Sequence, residues 1–194
     1  MTARTRTLWT YEDYAVLPED CKRYEIHEGE LCELTAPGLR HQVISGNLNE
    51  VLRAHVKARG LGIVLYAPLD VILSTDPAAT TVLQPDLLYV ETSCSRVLRM
   101  RGVEGPPTLA VEIFSPSTLR IDRGRKRRLY ARYGVPYLWF VDPVAREIEA
   151  LALAAGEYTL AARVSGAQPV DLPPFTDLGL VPDSLWPGES IPAE

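Results

Sequence analysis

The sequence predicts an α/β protein with a mixed central β-sheet flanked by helices, and three observations carry that expectation. Apolar residues at Ile44, Leu48, Val51, Leu52 and Val56 recur at the spacing of one helical face. TLAVEIFS (108–115) is short and almost wholly apolar, the pattern of a strand buried on both faces. A basic stretch long enough for a helix separates it from a second such run, VPYLWFVD (135–142). Those two strands are therefore expected to run parallel through a right-handed crossover.

The remaining elements follow in order. Thr10 precedes YEDYAVL with Asp13 three residues on, a capped short helix. RYEIHEGELCELT (23–35) alternates around Glu28-Gly29 and reads as an N-terminal hairpin. After Pro37-Gly38 the first long helix runs to a stop at Gly60. GIVLYAPLDVILS (62–74) reads as one long strand bent at Pro68, VLQPDLLYV (82–90) as a second, and 92–108 as a loop. Thr118 is placed to cap the basic helix, which Gly134 ends. REIEALAL (146–153) is a further strand, and the Pro-rich remainder a wrap with a weak strand near 157–164. The core order is thus αβββαβ. The 194 residues fit a single domain: N-terminal helix and hairpin over 1–36, core over 38–154, C-terminal wrap over 155–194.

Composition excludes several function classes. Hydrophobic residues make up 46% and charged residues 23%, ordinary for a globular protein. No apolar run reaches the ~20 residues of a membrane helix. MTARTRTLWTYEDY has no apolar stretch behind its basic residues, so a secretory leader is not expected. Cys21, Cys32 and Cys94 are odd in number and form no C-x-x-C. That disfavours a disulfide scaffold or zinc finger and points to a reducing, cytoplasmic setting. His27, His41 and His55 lack zinc-hydrolase spacing, and no phosphate-binding glycine loop is present.

A formal net charge of −5 argues against nucleic acid as a partner, but the distribution argues for it. RIDRGRKRRLYAR (120–132) holds seven basic residues against the single acidic Asp122, a local patch of the kind that binds phosphates. A solvated helix face is the plain alternative.

Two carboxylates interrupt apolar strands: Asp86 in QPDLLYV and Glu112 in LAVEIF. A lone buried carboxylate is costly, so each must be paired, hydrogen-bonded or on a metal. Carboxylates on neighbouring strands make a hard-oxygen site suited to Mg²⁺. The alternatives are a strand-end aspartate after proline and one half of an internal ion pair. The third element is a cation. Lysine occurs only at 22, 57 and 126, against seventeen arginines, yet Lys126 sits among arginines. An ammonium can orient or deprotonate a water, which a guanidinium does poorly. A regular helix puts Arg123, Lys126 and Tyr130 on one face.

Pro85-Asp86, Glu112-Ile113-Phe114 and Lys126 on the next helix resemble the PD-(D/E)XK nuclease superfamily, with the lysine moved from strand to helix. More closely, the chain resembles the Uma-two family of restriction-endonuclease-like proteins. The matching pieces are YEIHEGEL (24–31), His41, PLDVILS (68–74), QPDLLYV (84–90), VEIFSPST (111–118), KRRLYARYGVPYLWFVDP (126–143) and PPFTDLGL (173–180). The resemblance implies a restriction-endonuclease-like core and a metal-dependent endonuclease acting on DNA. It implies a divalent ion, Mg²⁺ or Mn²⁺, held by Asp86, Glu112 and the Ile113 carbonyl, with Lys126 beside the attacking water. Phe114 stands where the superfamily's usual lysine would. Glu30 and His41 are expected along the same cleft, Arg123, Arg127 and Arg128 on the DNA backbone, and a homodimer as the unit that cuts both strands. The alternatives from other classes are a catalytically silent nucleic-acid-binding or assembly module, and a structural core in which arginines neutralise Asp86 and Glu112.

Overall fold

Apolar strands from both halves of the chain meet in a central six-stranded sheet, here in a computed structural model describing residues 8–18, 22–116, 118–188 and 191. Its strands are β3 (Gly62–Tyr66), β6 (Leu87–Glu91), β9 (Leu109–Ile113), β10 (Tyr137–Asp142), β11 (Glu147–Ala154) and β12 (Glu157–Val164). The order is β12-β11-β10-β9-β6-β3. Within this sheet, among the described residues, only β9 and β10 pair in parallel, Glu112 opposite Phe140, across the basic helical segment. The weak strand expected near 157–164 is β12, a full edge strand on β11 that extends the central sheet into the C-terminal region.

Strand alternation sorts the two faces of this sheet. Leu109, Val111, Ile113, Trp139 and Val141 pack under α2 (Leu39–Arg59), against Ile44, Leu48, Leu52 and Val56. The C-terminal segment covers the same face with Leu172, Phe175, Leu180 and Trp186. It is pinned by the Trp139 indole donating to the Pro173 carbonyl at 2.7 Å. Ala110, Leu138, Phe140 and Leu151 face the other way, onto Leu129 and Tyr130. Those two residues belong to the basic segment, built of α3 (Leu119–Ile121), a π-helical turn (Asp122–Lys126) and α4 (Arg127–Arg132). α2 ends as expected: Gly60 adopts the left-handed conformation, φ 64°, and its N–H closes the last turn. Thr118 departs from expectation, because its hydroxyl exchanges hydrogen bonds with Ser115 and does not cap α3.

A second six-stranded sheet stands beside the first. It contains β1 (Arg23–His27), β2 (Glu30–Leu34), β4 (Val71–Ser74), β5 (Thr81–Leu83), β7 (Leu98–Arg99) and β8 (Gly102–Glu104), in the order β2-β1-β5-β4-β8-β7. The β1–β2 hairpin turns at Glu28 and Gly29, both with positive φ (52° and 80°), the backbone a two-residue hairpin loop requires. Tyr11, from the capped helix α1 (Tyr11–Ala15), packs on Ile26, Ile72 and Val82.

Two expected strands are each divided. The run 62–74 becomes β3 in the central sheet and β4 in the second, and 82–90 becomes β5 in the second and β6 in the central. Pro68 and Pro85 lie at the two crossings; proline has no N–H for a ladder, so each run leaves one sheet there. The stretch 92–108, expected as a loop, forms a 3₁₀ helix (Thr92–Val97) and the β7–β8 hairpin. Cys32 and Cys94 are free thiols, and Cys21 lies outside the described residues. Among the described residues no helix is long and apolar enough to cross a membrane.

Candidate active site

The second crossing between the sheets creates the site. β6 and β9 are antiparallel, with Leu87 opposite Val111 and Leu88 opposite Ala110. Asp86 immediately precedes β6, at the end of this register, and Glu112 follows Val111 on β9. Both line one cleft of about 450 Å³, together with His41, Ile113, Asp122 and Lys126.

Each side chain is held from a different element. Asp86 Oδ2 accepts from the Ile113 N–H at 2.7 Å and lies 3.1 Å from His41 Nε2, in the first turn of α2. Glu112, on the central strand β9, is buried; its Oε1 accepts from the Tyr130 hydroxyl at 2.6 Å. Lys126 is buried as well. Its ammonium stands 2.8 Å from Glu112 Oε1, 3.0 Å from Glu25 Oε1 and 3.8 Å from Asp122 Oδ1.

The face that carries Lys126 differs from the expected one. In the π-helical turn the Arg127 N–H reaches back to the Asp122 carbonyl, five residues earlier. Asp122, Lys126 and Tyr130 then point inward together. Arg123 is rotated away: it ion-pairs with Glu149 at 2.7 Å and lies 4.7 Å from the Phe114 ring centroid. Irregular turns of this kind recur at functional sites.

Glu25 is the residue the sequence reading missed. It is buried on β1, and its carboxylate receives the Gln84 N–H at 2.7 Å, Lys126 at 3.0 Å and His27 Nε2 at 2.8 Å. It stands behind Lys126 and does not line the cleft. Glu30, expected there, is absent from the lining too. It sits at the start of β2, partly exposed, and accepts from Arg125 at 2.7 Å. Arg127 and Arg128 also lie elsewhere. With Arg123, Arg132 and Tyr158 they line a separate groove of about 470 Å³, where Arg127 donates to the Tyr158 carbonyl at 2.8 Å. A helix that turns Lys126 inward carries Arg128 on its outer side.

Carboxylates crowd around Lys126. Glu25, Glu112 and Asp122 share one ammonium, and Asp86 adds a fourth carboxylate nearby. Burial pushes Glu112 well above the usual carboxylate range, against the pull of Lys126, and Asp122, Asp86 and Glu25 push the same way. Asp122 is raised for the same leading reason. Burial also acts upward on Glu25, but Lys126, His27 and the Gln84 N–H overcome it and hold the group at about 2. Burial would lower Lys126, yet Glu112, Glu25 and Asp122 raise it well above the usual lysine value.

Carboxylate oxygens gathered in this way are hard donors of the kind a divalent cation takes. Among the described residues no three His, Cys, Asp or Glu side chains are gathered as a ready-made metal site. An ion here would rest on two carboxylates, a main-chain carbonyl and water, the sparse oxygen set that Mg²⁺ accepts. Asp86, Glu112 and the Ile113 carbonyl fit that description.

The chain is similar to known proteins over nearly its whole length. A family model, Uma2, described as "Putative restriction endonuclease", matches residues 11–184. A crystal structure described as "a putative nuclease belonging to DUF820", from Anabaena variabilis ATCC 29413, superposes with a TM-score of 0.69 at 19% identity. That alignment covers 91% of this chain and 97% of the other. No curated protein matches the chain.

Proposed function

The chain belongs to the Uma2 family and has a restriction-endonuclease-like fold, and from that premise we propose a metal-dependent endonuclease that hydrolyses phosphodiester bonds in DNA. The observation that carries the reading is the convergence of Asp86 and Glu112, from neighbouring strands, on one cleft with buried Lys126. A divalent ion bound there supplies Lewis-acid polarisation of the phosphoryl oxygens and a lowered pKa for water.

The chain's own groups do the rest. The Ile113 N–H and His41 fix Asp86, so its carboxylate faces the cleft in one orientation. Tyr130 and Lys126 both donate to Glu112 Oε1, which leaves Oε2 for a cation. Lys126, clamped between Glu112 and Glu25, stays an ammonium. It therefore acts by donating hydrogen bonds and stabilising charge at the scissile phosphate, in place of the water-deprotonating role open to a free lysine. The cleft lined by Asp86, Glu112 and Lys126 is the proposed seat of the reacting phosphate.

The test is single-turnover cleavage of plasmid and linear duplex DNA with Mg²⁺ or Mn²⁺, run beside calorimetric titration of the metal. Glu112→Gln is expected to lose both cleavage and metal binding. Wild type that binds DNA and metal without cutting would point to the silent-module alternative. Wild type that binds no metal would sink the reading.

A further inference from the structure

We infer that Arg23 is the phosphate anchor of the cleft, holding a non-reacting phosphate of the substrate strand beside the scissile one. The inference rests on the nuclease reading and names a binding residue that reading does not contain. Arg23 and Glu25 lie two residues apart on the same face of β1, and both engage Gln84. Glu25 reaches Lys126 behind the cleft, whereas Arg23 lines the cleft itself.

The lining holds two basic chains besides His41: Lys126 and Arg23. Lys126 is neutralised by carboxylates on two sides. Arg23 makes no ion pair among the described residues; its recorded bond is Nε to Gln84 Oε1 at 2.9 Å. That leaves the two terminal nitrogens, the fork that matches a phosphate.

The guanidinium is also aimed. Gln84 Nε2 donates to Asp70 Oδ1 at 2.9 Å and to the Tyr14 hydroxyl at 3.3 Å, and Tyr14 in turn donates to Asp70 at 2.8 Å. With its amide nitrogen so fixed, Gln84 must present Oε1 to Arg23. Gln84 immediately precedes Pro85-Asp86, so the anchor and the carboxylate are set by one short segment. Arg23 lines the same cleft as Asp86, Glu112 and Lys126, so the phosphate it holds is a neighbour of the reacting one. Phosphate contacts of this kind fix register without reading sequence.

The experiment is fluorescence anisotropy of a labelled duplex oligonucleotide, in EDTA, across a salt series, with wild type, Arg23→Gln and Arg23→Lys. Arg23→Gln is expected to bind all sequences more weakly, with its log–log salt slope shallower by about 0.9, one phosphate's worth. Arg23→Lys is expected to restore the slope. If Arg23→Gln melts earlier but keeps the wild-type slope, Arg23 merely braces Gln84 and the inference falls. Should Arg23→Gln fail to fold, a reduced slope in Arg23→Lys overturns the inference equally. If wild type binds duplex with the slope effect at Arg23 yet never cleaves with metal, the nuclease reading fails while the anchor stands. If wild type binds no duplex at all, both fall.

Discussion

Replacing Lys126 by alanine removes the ammonium that Glu25, Glu112 and Asp122 share. Removing one member of a buried ion pair typically costs about 3–5 kcal/mol, because the remaining charge stays desolvated. Glu112 can escape by taking a proton, since burial already holds it well above the usual range. Glu25 cannot do so cheaply while His27 and the Gln84 N–H stabilise its charge. The lower end, about 3 kcal/mol, is therefore expected. At about 2–4 °C per kcal/mol for a chain of this size, the melting temperature should fall by roughly 6–12 °C. Divalent cations should then recover more stability in the variant than in wild type, because the carboxylates around position 126 lose the ammonium that neutralises them. Turnover should drop by about 10²–10³, the worth of one preorganised charge-stabilising donor. Lys126→Arg should not rescue it, since a planar fork does not fit between two carboxylates placed for a compact ammonium. Differential scanning fluorimetry with and without Mn²⁺, beside single-turnover cleavage, reads all three effects. An unshifted melting temperature, or equal Mn²⁺ stabilisation of both proteins, would refute the charge argument.

The site also predicts a two-sided pH profile of stability. Glu25 is held at about 2, below its ordinary value, so its contribution is present above about pH 4.5 and lost as pH falls toward 2. His27 is raised despite burial, through Cys32 and Glu25, so its contribution is full below about pH 6.5 and fades as pH rises through the raised value. Equilibrium urea unfolding from pH 2 to 9 should show both limbs, and Glu25→Gln should flatten them together. Leu48, fully buried under the central sheet, should cost about 2–5 kcal/mol when cut to alanine, with the urea m-value unchanged. A two-fold dimer is the simplest unit for cutting both strands of a duplex, and multi-angle light scattering at micromolar concentration should return twice the chain mass of 21.5 kDa.

Legibility in the sequence tracked how local each constraint is. Asp86 and Glu112 stand out in the sequence because a carboxylate inside an apolar strand announces its own cost, and the fold brings both to one cleft. The parallel pairing of β9 and β10 was readable because two buried strands flanking one helix have few topologies open to them. The division of 62–74 and 82–90 was not, since strand alternation states a period and says nothing about which sheet receives it. Proline at 68 and 85 was the available signal, and it was read as a bend. Glu25 was hidden for the same reason. In RYEIH an alternating polar residue looks like the wet face of a hairpin, until a second sheet covers it and the helical segment brings Lys126 against it. The misplacement of Arg123 comes from a single extra residue. A regular helix keeps both 122 and 123 near 126, whereas the π-helical turn rotates Arg123 away to Glu149 and leaves Asp122 beside Lys126. The irregular turn thus leaves Lys126 among acids alone, and a charge count along the sequence cannot reveal it.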